Sequence, residues 1–150
     1  MFERYTERAR QTLFCARDEA VQRGSASIET EHVLLGLIRE GHGVTGRILE
    51  RSHVSLEGVR KHIDARSTGH EKVSNSVEMP FSPETIRVLQ SAANEADRLS
   101  HRHIGTEHLL LGILCEPDCF AAAPLLAAGM TLQSVRGEIA QLGDIRPDAS

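Results

Sequence analysis

The chain has 150 residues, of which 40% are apolar and 25% are charged, and its formal net charge is −4. This length and composition suffice for one domain-sized core, and the absence of any run of about 18 apolar residues excludes a membrane-spanning helix. Residues 1–75 hold 12 Lys/Arg against 11 Asp/Glu, while residues 76–150 hold 5 against 10, so the basic stripe that a duplex nucleic-acid binder needs is missing.

The first predicted element is a helix over residues 7–23. Thr6 precedes it and is a suitable N-cap, because its hydroxyl can accept a hydrogen bond from a free N–H of the first turn. Ala9 and Leu13 fall on one face at helical spacing, and Gly24 ends the pattern. The segment therefore predicts an amphipathic helix with one face in a core.

The second predicted element is a central helix that is apolar on nearly all sides. It follows Thr30 and runs through Val33-Leu34-Leu35-Gly36-Leu37-Ile38. A glycine inside a helix costs about 1 kcal/mol relative to alanine, so we expect a close helix crossing at Gly36. A short helix at 44–52 and a last helix capped by Ser55 follow.

From residue 81 onward the same pattern returns. At an offset of 76, residues 5–63 lie over residues 81–139 without a gap, and 17 of the 59 pairs are identical. Chance would give roughly four identities, which indicates an internal duplication. The second copy starts at the cap Ser82 and repeats the central helix after Thr106, the short helix at 120–128 and a last helix capped by Thr131. We therefore predict an all-α fold of two tandem four-helix repeats with pseudo-twofold symmetry.

Two segments fall outside the repeats. Residues 64–80 are polar and lack apolar periodicity, which is typical of a linker. Residues 140–150 resemble a frayed tail or the start of a tether. The predicted organisation is a single domain over 1–150, made of repeat 1 (5–63), the linker, repeat 2 (81–139) and the tail.

The duplicated polar segment at the start of each central helix is the candidate binding site. It contains Thr30 and Glu31 in the first copy and Thr106 and Glu107 in the second. With threonine as N-cap, free N–H groups and the helix dipole favour an anion, while a carboxylate turned outward accepts from a cation. Together they suit a ligand that carries an anion and a guanidinium. The alternative is structural: threonine caps, glutamate complements the dipole and histidine packs on a neighbouring turn.

Cysteines and histidines near the second central helix raise the question of a metal or thiol sensor. Cys115 and Cys119 have i, i+4 spacing, with His101, His103 and His108 nearby in sequence. The first copy lacks both cysteines, which favours their role as small buried apolar side chains. We therefore expect no metal site and no cofactor, and keep the sensor as a minor alternative.

The chain also lacks the common catalytic motifs. Neither G-x-S-x-G nor H-E-x-x-H occurs, and no nucleophile accompanies the duplicated Glu and His. We therefore expect no enzyme activity. Three cysteines are too few for a disulfide scaffold, and an odd number cannot all pair within the chain. This favours a reducing compartment, and hence the cytoplasm.

Several motifs resemble one known family. They are the opening Met-Phe-Glu-Arg-Tyr-Thr-Glu-Arg-Ala-Arg, the paired Thr-Glu-His-(Val/Leu)-Leu-Leu-Gly-(Leu/Ile) segments and the stretch from Leu37 to Val44. Over residues 1 to about 143 the chain resembles the Clp N-terminal repeat domain of bacterial ClpC-type AAA+ unfoldases. The resemblance implies a helical double repeat without ATPase activity, which docks substrate proteins and adaptors for an ATPase ring that feeds the ClpP peptidase.

The resemblance also implies a ligand. ClpC members recognise phosphoarginine, a degradation mark, at two pseudo-symmetric sites on the Thr-Glu segment. Carried over, these sites are Thr30 with Glu31, and Thr106 with Glu107.

The chain departs from the family pattern at three places. Glu29 stands where the motif has the glycine that remains as Gly105, which favours the second site for an anion. The segment from Cys115 to Phe120 replaces the family's Arg-Glu-Gly-Glu-Gly-Val. The sequence contains no Walker motif, which leaves an excised domain or a free-standing accessory protein that modulates a Clp ring as alternatives.

Overall fold

A computed structural model describes residues 2–66 and 78–143, with side chains described up to residue 141. The described residues form eight α-helices, four in each repeat, and the all-α prediction is confirmed. The helices are α1 (Glu7–Gln22), α2 (Thr30–Glu40), α3 (Gly43–Arg51), α4 (Leu56–Arg66), α5 (Pro83–Arg98), α6 (Thr106–Leu114), α7 (Ala122–Ala127) and α8 (Leu132–Gly143). None of the described helices has the length and apolar character needed to cross a membrane.

Side-chain caps start four of these helices, as the sequence predicts. The Thr6 hydroxyl accepts from the Ala9 N–H at 3.1 Å, and the Ser82 hydroxyl accepts from the Thr85 N–H at 3.1 Å. The last helix of each repeat is capped in the same way by Ser55 and Thr131, which accept from the N–H groups of Gly58 and Ser134 at 3.0 Å. Each cap satisfies an N–H that has no partner within its helix.

The central helices α2 and α6 occupy the core. Residues Thr30 to Leu37 of α2 and all nine residues of α6 are buried, as their apolar character on all sides predicts. A Cβ built on Gly36 would lie 2.3 Å from the backbone oxygen of Thr12, and one on Gly112 would lie 2.4 Å from that of Val88. The expected close crossings are therefore confirmed: α2 contacts α1, and α6 contacts α5, at these glycines.

Two short backbone bridges connect the two repeats. Tyr5 forms a parallel bridge with Ile104, and Ile28 forms one with Phe81. At an offset of 76, Tyr5 is equivalent to Phe81 and Ile28 to Ile104, so each bridge maps onto the other when the repeats are exchanged. This exchange is the structural sign of the pseudo-twofold relation.

The predicted linker and tail are only partly described. Residues 64–66 continue α4, while residues 67–77 of the predicted linker lie outside the described residues. Pro80 accepts from the Ile28 N–H at 2.8 Å, so this end of the predicted linker is part of the domain. Residues 140–143 continue α8, and the rest of the predicted tail lies outside the described residues.

Candidate functional site

Glu29 and Gly105, not the threonines, are the N-caps of the two central helices. Both have extended backbone, and Thr30 and Thr106 are the first helical residues. The prediction that these threonines are caps is therefore wrong. The caps are fixed from the third helical position, where a histidine side chain accepts the N–H of the cap residue.

These histidines are buried and neutral. Nδ1 of His32 accepts from the Glu29 N–H at 2.9 Å, and Nδ1 of His108 accepts from the Gly105 N–H at 2.8 Å. Burial lowers the pKa of each histidine to about 4. An Nδ1 that accepts leaves the ring proton of a neutral imidazole on Nε2.

The two threonine hydroxyls lie between the repeats. Thr106 shares a 2.8 Å hydrogen bond with Thr45, and Thr30 accepts from the Ala121 N–H at 3.4 Å. Thr45 and Ala121 are equivalent positions, so each central helix starts against the other repeat. The threonine side chains therefore serve the interface between the repeats, and at these two positions only the backbone N–H remains for a ligand.

Glu31 already holds a guanidinium. Its side chain is buried, and its Oε2 accepts from Nη2 of Arg66 at 2.8 Å. The Arg66 guanidinium also lies 3.6 Å from the centroid of the Phe120 ring, which stacks on the ring of His62. Carboxylate and ring face together form a guanidinium pocket, here called the Glu31 pocket.

Burial raises the pKa of Glu31. The carboxylate's hydrogen bond with its own backbone and the Arg66 guanidinium oppose this rise, whereas the charges of Glu29 and Glu84 add to it. The Glu31 pocket therefore lies in an acidic part of the surface, which favours a cationic ligand group.

Glu107 has no such partner. Its side chain is buried, its Oε1 has no hydrogen-bond partner within the part of the chain that the structure describes, and its Oε2 lies 3.8 Å from Nε2 of His103. Val44 stands at the position equivalent to Phe120, so the phenyl ring of the Glu31 pocket has no counterpart at this position. The prediction that Glu31 and Glu107 turn outward is wrong, because each of the two residues is only 5% exposed.

Sequence reasoning missed a second pair of buried glutamates. Glu95 forms a two-fold hydrogen-bonded ion pair with Arg136, with Nε to Oε1 at 2.8 Å and Nη2 to Oε2 at 2.6 Å. Its equivalent Glu19 contacts Arg60 at 3.1 Å and Arg39 at 2.9 Å. Both members of each pair are identical between the repeats, and that shared identity was the available signal.

The cysteines do not form one site. Cys115 donates to Oε2 of Glu95 at 3.7 Å, and Cys119 donates to the backbone oxygen of Ile113 at 3.8 Å. Burial raises the pKa of Cys115 to about 11, which keeps it a protonated, unreactive thiol at neutral pH. Each thiol has its own acceptor, which favours a packing role over a sensor.

Comparison with known proteins agrees with this architecture. The family profile described as the Clp repeat (R) N-terminal domain matches residues 4–128 and 81–149. The chain is 35% identical over 142 residues to the Bacillus subtilis (strain 168) protein named negative regulator of genetic competence ClpC/MecB. It is 37% identical over 142 residues to the chloroplastic chaperone protein ClpC1 of Oryza sativa subsp. japonica. These matches cover 95% of this chain but only 17% and 15% of the two relatives.

Solved structures share the fold. The N-terminal domain of the caseinolytic protease associated chaperone ClpD from Arabidopsis thaliana matches with a TM-score of 0.72 and 26% identity, over 95% of each chain. A ClpV N-domain solved in complex with a VipB peptide matches with a TM-score of 0.74 and 18% identity, over 93% of this chain and 86% of that one. The chain belongs to the family of Clp repeat N-terminal domains.

Proposed function

We propose that this domain recruits substrate proteins and adaptors to a Clp ATPase, and that it recognises phosphoarginine-marked segments. The first site is the start of α2 with Thr30 and Glu31, and the second is the start of α6 with Thr106 and Glu107. The observation that carries the proposal is the Arg66 guanidinium, which lies on the Glu31 carboxylate and over the Phe120 ring. No catalysis is assigned to this chain.

Arg66 marks the place that the guanidinium of a ligand would take. The Arg66 side chain is 57% exposed, whereas the Glu31 side chain is 7% exposed. Because Arg66 is largely solvated and a ligand guanidinium would make the same contact with the Glu31 carboxylate, exchange of one guanidinium for the other costs little. Glu31 stays paired throughout the exchange, and the buried carboxylate is never left without a cation.

The phosphoryl group must then supply the net affinity. The first N–H groups of α2 have no partner within the helix, and they lie at the positive end of its dipole. An anion attached to the guanidinium can reach such groups, whereas plain arginine cannot use them. Phosphoarginine is therefore expected to bind more tightly than either arginine or phosphate.

Glu29 opposes this anion at the first site. As the N-cap it lies beside the free N–H groups, and its carboxylate accepts from the hydroxyl of Ser27. Gly105 places no charge at the second site, which however lacks the aromatic ring. The first site is thus better suited to the guanidinium and the second to the phosphoryl group.

Titration calorimetry with phosphoarginine, arginine and phosphate tests the proposal. Glu31→Gln should abolish binding at the first site. Glu29→Gly should tighten phosphoarginine by roughly 5-fold or more through removal of one like charge, with arginine unchanged or weaker. Glu107→Gln serves as the matched variant of the second site. The proposal is refuted if phosphoarginine gives no heat, or if Glu31→Gln and Glu107→Gln both bind it as the native chain does.

The wider role is tested by capture of partners. We expect the chain to retain adaptors or marked substrates from a cytoplasmic extract, with loss of the marked substrates in Glu31→Gln. Unchanged capture of a Clp ring, with no substrate captured by the native chain, would instead support an accessory protein that modulates the ring.

A further inference from the structure

We propose that the second repeat binds one divalent transition metal ion of the Zn²⁺ class through His101, His103 and Glu107. This cluster lies at the start of α6, and a fourth residue, His108, adjoins it. The inference replaces the sequence-based expectation of no metal site, and it does not depend on the ligand proposed for the Glu31 pocket.

The geometry gathers the side chains before any ion binds. One ligand atom from each of the four residues lies within 4.8 Å of the other three. The His101 and His103 rings stack with centroids 5.4 Å apart and planes 7° apart, and Nε2 of His103 lies 3.8 Å from Oε2 of Glu107. Ligand atoms around tetrahedral zinc are roughly 3.4 Å apart, given metal–ligand distances of about 2.0–2.1 Å. A shift of about half an ångström brings these two atoms to the metal-bound spacing.

Two buried polar atoms of this cluster without hydrogen-bond partners favour the binding of a cation. Oε1 of Glu107 and Nε2 of His103 are both buried, and neither has a hydrogen-bond partner among the described residues. The whole Glu107 residue is only 5% exposed. A buried polar atom without a partner costs about 1–3 kcal/mol, and more when it is charged. One metal ion would satisfy the carboxylate oxygen and the imidazole nitrogen together.

The hydrogen bonds of His108 exclude it from the ligand set. Its Nδ1 accepts from the Gly105 N–H, so its proton is on Nε2, which lies 2.8 Å from Nδ1 of His101. A nitrogen that carries a proton cannot bind a metal. His108 therefore remains a donor beside the metal, next to the open coordination position that three protein ligands leave.

Binding through His101 has a moderate cost. His101 now accepts from His108 through Nδ1, so either of its ring nitrogens can bind a metal only when this hydrogen bond is given up. His108 is fully buried and its Nε2–H would lose this acceptor, so the cost is about 1–3 kcal/mol, which the affinity of two imidazoles and a carboxylate for zinc can offset. The neighbouring Arg4 is held by the Asp97 carboxylate at 2.8 Å and by the backbone oxygen of Arg102 at 2.9 Å, so its charge is partly compensated.

The first repeat is a built-in control. Ser25 and Ser27 stand at the positions of His101 and His103, and Glu31 is paired with Arg66. Within the described residues of the two repeats, the structure therefore predicts one metal site, in the second repeat, and none in the first. Since Glu107 would be taken by the metal, zinc should also compete with phosphoarginine at the second site and leave the first site free.

Metal binding to the full chain without a histidine tag tests the inference. After treatment with a chelator, zinc titration should show one equivalent, and Co²⁺ should give the visible absorption of a four- or five-coordinate site. His103→Ser, which copies Ser27, should weaken zinc by more than about 100-fold, and Glu107→Gln should do likewise. His42→Ser, at an exposed histidine outside the cluster, and Glu31→Gln should bind zinc as the native chain does.

Thermal unfolding with and without zinc provides a second measurement, which also shows whether each variant folds. Zinc should raise the melting temperature of the native chain but not that of His103→Ser. The inference is overturned if no stoichiometric zinc binds. It is also overturned if His103→Ser folds and binds zinc unchanged, or if Cys115→Ser with Cys119→Ser removes the metal.

Discussion

Replacing Arg136 with alanine should destabilise the domain far more than the equivalent change in the first repeat. Arg136 is the partner of Glu95, whose side chain is only 6% exposed, and it donates to both carboxylate oxygens. These hydrogen bonds lower the pKa of Glu95 against the effect of burial. Without Arg136, the hydrogen bond that remains to this carboxylate among the described side chains is from the thiol of Cys115 at 3.7 Å, which is a weak donor. Removing one member of a buried pair typically costs about 3–5 kcal/mol.

Protonation of the carboxyl limits this cost. A Glu95 that is left without its arginine can be buried in the neutral form, and from an ordinary pKa of 4.5 that protonation costs about 3.4 kcal/mol at pH 7. The same cost is only about 0.7 kcal/mol at pH 5. In the variant, the carboxyl of Glu95 then has a higher pKa in the folded chain than in the unfolded chain. The folded variant therefore gains stability relative to the native chain as the pH falls.

Arg60→Ala is the matched control. Glu19 would keep Arg39 at 2.9 Å and Arg23 at 3.6 Å, so its carboxylate stays paired. We expect a loss of about 1 kcal/mol for Arg60→Ala and about 3 kcal/mol for Arg136→Ala at pH 7. Cys115→Arg, which copies Arg39, should restore part of the stability of Arg136→Ala.

Urea unfolding followed by far-UV circular dichroism measures these differences. With a slope of about 2 kcal/mol per molar urea, the two midpoints should differ by roughly 1 M at pH 7 and by clearly less at pH 5. Equal midpoints for Arg136→Ala and Arg60→Ala, or a gap that does not narrow at pH 5, would refute the reasoning that an unpaired buried carboxylate is the cause.

Three further predictions use the same unfolding assay. Gly112→Ala places a Cβ 2.4 Å from a backbone oxygen and should cost about 3 kcal/mol or more of stability. Gly137→Ala, where the new Cβ has nothing within 4 Å, should instead stabilise α8 by up to about 1 kcal/mol. Similar effects of the two substitutions would contradict a close helix crossing at Gly112. Burial lowers the pKa of His32 to about 4, so the unfolded chain takes up a proton near pH 6.5 that the folded chain refuses. The contribution of His32 to stability should therefore fall by up to about 3 kcal/mol as the pH drops from 6.5 to 4, and His32→Asn, which keeps an acceptor without titrating, should show a shallower fall than the native chain. Thr45→Ala removes the 2.8 Å hydrogen bond between the repeats and should cost about 1 kcal/mol; a neutral effect would show that the bond contributes nothing net.

The duplication predicted most of the fold, because it showed which residues of the second repeat are equivalent to those of the first, and local patterns alone do not. Four caps, the two buried central helices and the close crossings at Gly36 and Gly112 all follow from periodicity and from residue types with a single local use. The pseudo-twofold relation is expected because each copy contains a central helix that is apolar on nearly all sides, and two equivalent copies can bury these helices by packing against each other.

The candidate site was predicted less well, for a local reason and a tertiary one. Threonine is the usual cap where it precedes an apolar run, but here a histidine at the third helical position fixes Glu29 and Gly105 as caps instead. The burial of Glu31 depends on tertiary contacts such as its ion pair with Arg66, which is 35 residues away, and local sequence patterns do not carry that information. Glu19 and Arg60 are 41 residues apart, beyond the reach of any helical spacing rule.

Each helix start takes part of its surroundings from the other repeat, so divergence of one copy changes the chemistry of both sites. Phe120 belongs to the second repeat but completes the pocket of Glu31 in the first, while Val44 leaves Glu107 without the equivalent phenyl ring. His103 changes only its own repeat, because it lies four residues before Glu107, in the loop that precedes α6. Two identical carboxylates, equally buried, thus acquire different partners: an exchangeable guanidinium for Glu31 and an imidazole cluster for Glu107. Since a buried carboxylate must be paired or protonated, these partners determine which cationic group each site can accept.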